Sequence, residues 1–199
     1  MTTTTPNQPE LVLASTSPAR RALMQSLGIP WRAEAPGVDE HVPPGTGVRE
    51  AVQLLARRKA EAVARRAPGA LVIGSDQLVC LDGEALGKPQ NRDQARAQLR
   101  RLSGRRHEIV TGLCLIGPTV PHGADVEVDV ATLELYALTE DELERYLDTG
   151  EWQGCAGGYR VEGRGQALFR NIEGDRTGVM GLPMVRLIRM LRGAGVVFF

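Results

Sequence analysis

The stretch Leu11–Ile29, LVLASTSPARRALMQSLGI, sets the architecture. Leu11 to Ala14 is an uninterrupted apolar run, short enough to be a strand buried on both faces. Ser15-Thr16-Ser17 then interrupts it with hydroxyls, and Ser17 before Pro18 is the pattern of an N-cap followed by proline at the first helical position. Gly28 after Leu27 marks the stop of that helix. A strand, a polar turn and a helix start in this order present free N–H groups to a phosphate. Arg20 and Arg21 lie in the first helical turn, where cations oppose the helix dipole and call for an anionic partner.

Working outward, residues 29–47 are rich in Pro and Gly and predict a loop or edge strand that carries Asp39 and Glu40. Residues 48–67 predict a helix closed by Pro68-Gly69. Its apolar stripe runs Val48, Val52, Leu55, and the next in-phase position is Lys59. A lysine there either snorkels from the edge of the stripe or is held inside for its charge. Residues 70–74 form a second apolar run ending at Ser75-Asp76-Gln77. That predicts Asp76 beyond the carboxyl end of a strand, where open α/β sheets bind ligands. Residues 77–86 predict a hairpin turning at Asp82-Gly83, followed by Gly87-Lys88-Pro89 and a helix over 92–102 capped by Asn91. Strands are expected over 107–117 and 126–138, and a capping box from Thr139 to Glu142 opens a helix to Leu147. The glycine-rich stretch 150–181 holds a short strand over 167–171. A last amphipathic helix over 182–191 directs Val185, Ile188 and Leu191 inward. No repeat and no long linker divides the chain, which predicts a polar tail over 1–10 and a single α/β domain over 11–199.

The 199 residues include 24 Lys+Arg and 24 Asp+Glu, a formal net charge of +0 that argues against a nucleic-acid coat. With 3 Phe, 2 Trp and 3 Tyr, stacking platforms along a single strand are also excluded. Cys80, Cys114 and Cys155 form no CxxC pair and no disulfide framework, which points to a reducing compartment. The first ten residues lack the basic and apolar regions of a signal peptide, and no apolar run has the length of a membrane span. The expectation is a cytoplasmic protein with neither a membrane nor a nucleic-acid partner. Gly83 to Lys88 reads GxxxGK but is one residue short of a P-loop and lacks its Ser/Thr. His41, His107 and His122 are not at metal-ligand spacing. What remains is charge in awkward places: Arg20 and Arg21 at a helix start, Lys59 on an apolar stripe, Asp76 after a strand, Lys88 before a proline. Singly, each reads as an ordinary salt bridge or turn residue. Together they suit a phosphorylated substrate with a divalent metal.

Four segments, LVLASTSPARRALMQSLGI, VIGSDQLVCLDGEALGKP, LSGRRHEIVTGLCL and CAGGYRVEGRGQALF, resemble in order the Maf family of nucleotide pyrophosphatases, from about Leu11 to Leu191. GSDQ and the later VEG resemble the YceF-like subfamily, whose members hydrolyse 7-methyl-GTP; the dTTP/UTP subfamily carries GADT and a later glutamine. The resemblance implies a mixed, twisted sheet flanked by helices around a deep cleft, similar to the inosine-triphosphatase fold, often paired as a homodimer. It implies Asp76 as proton acceptor and Ser15, Ser17, Arg20, Lys59 and Lys88 as phosphate-binding residues. Glu40, or its neighbour Asp39, matches a position that helps hold a divalent cation, Mg, Mn or Co. Ala19, Gln77 and Glu162 match the positions that set base preference. A carboxylate at 162 can accept both the N1–H and the N2 amino group of a guanine. Ala19 stands where the subfamily carries a tryptophan, and alanine offers no face to a cationic base; Trp31 or Trp152 would have to supply one. The expected substrate is 7-methyl-GTP, with dTTP/UTP or broad pyrophosphatase activity as the enzymatic alternative. A nucleotide-binding regulator of cell division with little turnover is the non-enzymatic one.

Overall fold

The computed structural model describes residues 9–199, so the polar tail expected over 1–10 lies outside the described residues except for its last two. The opening run forms β1 (Leu11–Leu13), and Ser17 caps α1 (Pro18–Gln25) by accepting the Arg20 N–H at 3.5 Å. The Pro- and Gly-rich segment contains one two-residue edge strand, β2 (Arg32–Ala33), before α2 (Val48–Ala64). β3 (Leu71–Leu81) and β4 (Glu84–Leu86) form the expected hairpin, with positive φ at both Asp82 and Gly83, as a two-residue turn requires. α3 (Arg92–Leu102), capped by Asn91, leads to the long antiparallel pair β5 (Arg106–Ile116) and β6 (Ala124–Leu135). The Thr139–Glu142 capping box opens α4 (Glu140–Asp148), and β7 (Phe169–Glu173), α5 (Arg176–Val179) and α6 (Met184–Gly193) complete the chain.

The strands make one mixed sheet, β2-β1-β3-β5-β6-β7, with β4 on β3. β2, β1 and β3 are parallel, and the other pairings are antiparallel. α2 covers one face, packing on β3 and β5. The opposite face carries two separate apolar cores. One joins Leu71 and Ile73 to Met24 of α1 and Leu187 and Leu191 of α6; the other joins Val79 and Leu81 to Leu99 of α3 and Leu143 of α4. This is the expected α/β class, a mixed sheet flanked by helices.

Two expectations change. β3 does not end at Gly74 but runs unbroken to Leu81, so Asp76 lies mid-strand, paired opposite Gly112 of β5. The polar triplet Ser75-Asp76-Gln77 resembles a strand end in sequence, yet its side chains all find partners, Asp76 on the α2 face of the sheet and Ser75 and Gln77 on the opposite one. On the remaining edge of β3, β1 pairs as far as Ile73 and β4 begins at Val79, so residues 74–78 border an open notch. α6 begins at Met184, after Pro183, and buries Met184, Leu187, Met190 and Leu191. Val185 is therefore 75% exposed and Ile188 half-buried, because Leu182 belongs to the preceding loop and the inward phase starts two residues later. The last strand is also displaced by two residues from 167–171.

Candidate active site

The notch opens into a cleft of about 810 Å³, within the range of a nucleotide-sized pocket. All ten residues singled out in the sequence line it: Ser15, Ser17, Ala19, Arg20, Glu40, Lys59, Asp76, Gln77, Lys88 and Glu162. Asp39 does not; its carboxylate accepts the His41 N–H on another surface, so of these two neighbours Glu40 is the one that faces the cleft.

At the centre, Lys59 does not snorkel. Its Nζ donates to Asp76 Oδ1 at 2.5 Å and contacts Glu40 Oε1 at 2.6 Å, and the lysine and aspartate side chains are only 8% and 10% exposed. Two close approaches bring them together. A Cβ on Gly74 would fall 2.1 Å from the Ala56 carbonyl oxygen, and one on Gly112 would fall 2.2 Å from that of Val52. Glycine at both positions lets the α2 backbone lie directly on β3 and β5, so Lys59, just past the third turn of α2, reaches Asp76.

Arg20 reaches the same centre from α1. Its Nε donates to the Gly181 carbonyl at 2.8 Å and its Nη1 to the Ser75 carbonyl at 2.9 Å. The second contact satisfies a β3 carbonyl near the open edge, and the guanidinium keeps further donors for a ligand. Burial lowers the Arg20 pKa, while Asp76 and Glu40 pull it upward. Glu40 is held below the usual carboxylate range chiefly by its bond to Lys59, with Lys88 and Arg20 adding to the effect. Three cations therefore converge on two carboxylates. Ser15 is buried and its hydroxyl accepts the Ser17 N–H at 3.1 Å, fixing the turn that leads into α1.

The far end of the cleft is built by residues 154–162. Glu162 is exposed and lies 4.0 Å from the Arg160 guanidinium. Arg160 escaped the sequence reading, since nothing in its local pattern separates it from a surface charge. Neither tryptophan supplies an aromatic face: Trp152 is buried with its indole N–H on the Leu147 carbonyl, and Trp31 packs against the core below α1. Among the lining residues Tyr159 is the one aromatic; it is buried, with its hydroxyl 2.7 Å from His107 Nε2. Gln77 also lines the cleft, but its amide nitrogen faces three acceptors of the protein: Thr111 Oγ1 at 3.0 Å, the Gly178 carbonyl at 2.8 Å and the Val179 carbonyl at 3.0 Å.

Among the described residues no group of three or more His, Cys, Asp or Glu side chains could enclose a metal ion. Asp76 and Glu40, joined by one ammonium, are instead the one or two carboxylates that magnesium uses when phosphate oxygens and water complete its shell. The donor set fits a divalent cation brought together with a polyphosphate. Cys80, Cys114 and Cys155 are all free, and no helix among the described residues is long and apolar enough to cross a membrane.

A 7-methyl-GTP pyrophosphatase of Pseudomonas syringae pv. tomato is 43% identical over 191 residues, covering 94% of this chain and 98% of the relative. Another of that name from Xanthomonas oryzae pv. oryzae is 46% identical over 188 residues, covering 94% and 97%. A dTTP/UTP pyrophosphatase of Symbiobacterium thermophilum is 42% identical over 190 residues, covering 96% of each. Among solved structures, the Staphylococcus aureus Ham1 protein matches with a TM-score of 0.46 at 20% identity over 64% of this chain and 72% of that one. The family model described as Maf-like protein matches residues 10–194, which span every residue lining the cleft. With that match over nearly its whole length and relatives above 40% identity, the chain belongs to the Maf family.

Proposed function

We propose that this protein is a nucleoside triphosphate pyrophosphatase that converts 7-methyl-GTP to 7-methyl-GMP and pyrophosphate, clearing a modified nucleotide. The observation that carries the reading is the buried Lys59–Asp76 pair at an open sheet edge, flanked by Arg20, Lys88 and Glu40. A water molecule within hydrogen-bond reach of the Asp76 carboxylate gives it a proton while its oxygen bonds to the α-phosphorus. The bond from that phosphorus to the α,β-bridging oxygen breaks, and pyrophosphate leaves with the bonding electrons. Lys59 orients the carboxylate, and Arg20 and Lys88 offset the charge that accumulates on the phosphate oxygens and leaving group. Ser15 and Ser17 hold the turn beneath the triphosphate. A divalent cation, Mg, Mn or Co, held by Glu40 and Asp76 would neutralise charge on the same oxygens.

Glu162 at the far end of the cleft suits the Watson–Crick edge of a guanine, a role that requires it to exchange Arg160 for the base. The small side chain of Ala19 favours a second reading, in which the same centre cleaves dTTP, UTP or a broad set of triphosphates, because among the described residues that line the cleft no exposed ring is offered to a cationic base. Operation in the cytoplasm and pairing as a homodimer accompany either reading.

A nucleotide panel assayed with Mg²⁺, Mn²⁺ and Co²⁺ tests the proposal. Pyrophosphate release should be fastest from 7-methyl-GTP and should fall at least ~10²-fold in Asp76→Asn. Near-wild-type turnover in that variant would overturn Asp76 as the base. Tight nucleotide binding with no pyrophosphate release under any metal would favour a regulator.

A further inference from the structure

We propose that Thr111 and Gln77 form one positioning unit that holds the turn Gly178–Gly181 and thereby sets Arg20, so that the Gln77 amide acts on the substrate without its nitrogen touching the base. The inference rests on the reading of the cleft as a nucleoside triphosphate site. Thr111 stands directly opposite Gln77 across β3 and β5, is 1% exposed and does not line the cleft. Its hydroxyl accepts from Gln77 Nε2 at 3.0 Å and donates to the Gly178 carbonyl at 3.0 Å. The Gln77 nitrogen also reaches the Gly178 and Val179 carbonyls. Two main-chain carbonyls facing one amide group require the nitrogen there, which fixes the orientation of the side chain.

The far end of this turn carries Arg20. The Ser75 hydroxyl donates to the Gly181 carbonyl at 2.7 Å, and Arg20 Nε donates to the same oxygen at 2.8 Å. The turn is closed by the Gly181 N–H on the Gly178 carbonyl at 2.9 Å. Gly181 has φ +100, and a Cβ there would meet Arg20 Nε at 3.0 Å, so the backbone conformation and the guanidinium position are tied together. Its other side is equally confined, because a Cβ on Gly178 would lie 2.3 Å from Asp129 Oδ2. Removing Gln77 takes the side-chain donor from the Val179 carbonyl and one of three donors from the Gly178 carbonyl. Removing Thr111 takes another of those three together with the acceptor that anchors the Gln77 amide, and a turn that shifts in response takes Arg20 with it.

The test is a set of mutant cycles read by calorimetric binding of the non-hydrolysable α,β-methylene analogues of 7-methyl-GTP and UTP. Thr111→Val and Gln77→Met should each weaken binding about tenfold, by the same factor for both bases, and the double variant should lose no more than the worse single. In an Arg20→Lys background, either change should cost less than about twofold, and with Arg20 intact Thr111→Ser, which keeps the hydroxyl, should bind as tightly as the wild type. If Thr111→Val does not fold, the Gln77→Met and Arg20→Lys cycle decides. Additive losses, wild-type binding in Thr111→Val, or a changed ratio of the two analogues in Gln77→Met alone would overturn the unit; the last result would assign base reading to the Gln77 amide. Because the readout is binding, failure to hydrolyse 7-methyl-GTP would overturn the proposed reaction and leave this inference to be decided by the cycles.

Discussion

Lys59 Nζ holds Asp76 and Glu40 together at 2.5 and 2.6 Å, and the reading of the cleft depends on that ammonium. Removing one partner of a buried pair leaves the other charge uncompensated, at a cost of about 3–5 kcal/mol. Lys59→Met is therefore expected to lower the urea midpoint strongly and abolish pyrophosphate release, and a stable, active variant would contradict the arrangement. The sequence placed Lys59 on a buried stripe but could not choose between snorkelling and pairing, since its partner lies 17 residues away on another element. Gln77 was legible as a cleft residue and not as a clamp, because its acceptors are main-chain carbonyls about a hundred residues downstream. Ala19 is the one site residue whose side chain falls short of the subfamily pattern. Ala19→Trp is expected to raise the preference for 7-methyl-GTP over GTP by about three- to tenfold, the worth of a cation–π contact in a partly dry site. An unchanged ratio in competition assays would show that the base does not stack there.

Among the elements, α2 and β3 together make the site. Gly74 and Gly112 let their backbones approach, so Gly112→Ala must push α2 outward or strain the sheet. Such overpacking costs about 1–3 kcal/mol or more, and the shift withdraws Lys59 from Asp76. The variant should lose both thermal stability and turnover, whereas Gly87→Ala, with open space at its Cβ, should keep its stability. Equal melting temperatures for the two variants would contradict the close-approach account. The hairpin and the caps of α1, α3 and α4 were readable because turn and capping chemistry is local, as Asn91 and the Thr139–Glu142 box illustrate. The continuation of β3 through Ser75–Gln77 was not readable, since its polar side chains are satisfied by α2 on one face and by the Gly178–Gly181 turn on the other. The phase of α6 was missed for a similar reason: Leu182 reads as helical but docks in the core ahead of Pro183.

At the level of the whole molecule, two apolar cores on one face of a single sheet are separated by Ser75 and Gln77, and the cleft opens beside that polar interval. The zero net charge therefore accommodates a polyanion, since only a few cations need to meet in one place. One core also encloses His107, whose pKa burial pushes down to about 4 from 6.5. The unfolded chain takes up this proton as pH falls through 6.5, while the folded protein resists until about 4, so stability declines across that window, by at most about 3 kcal/mol. Urea unfolding at pH 7, 6 and 5 should show this decline in the wild type and a flatter profile in His107→Gln; equal slopes would remove His107 as the cause. The central claim concerns which bond breaks. Hydrolysis of 7-methyl-GTP in ¹⁸O-water, followed by mass spectrometry of the products, tests it most directly. The mechanism predicts one labelled oxygen in 7-methyl-GMP, unlabelled pyrophosphate in equal amount, and loss of both in Asp76→Asn. Release of inorganic phosphate and 7-methyl-GDP, or label in the pyrophosphate, would contradict it.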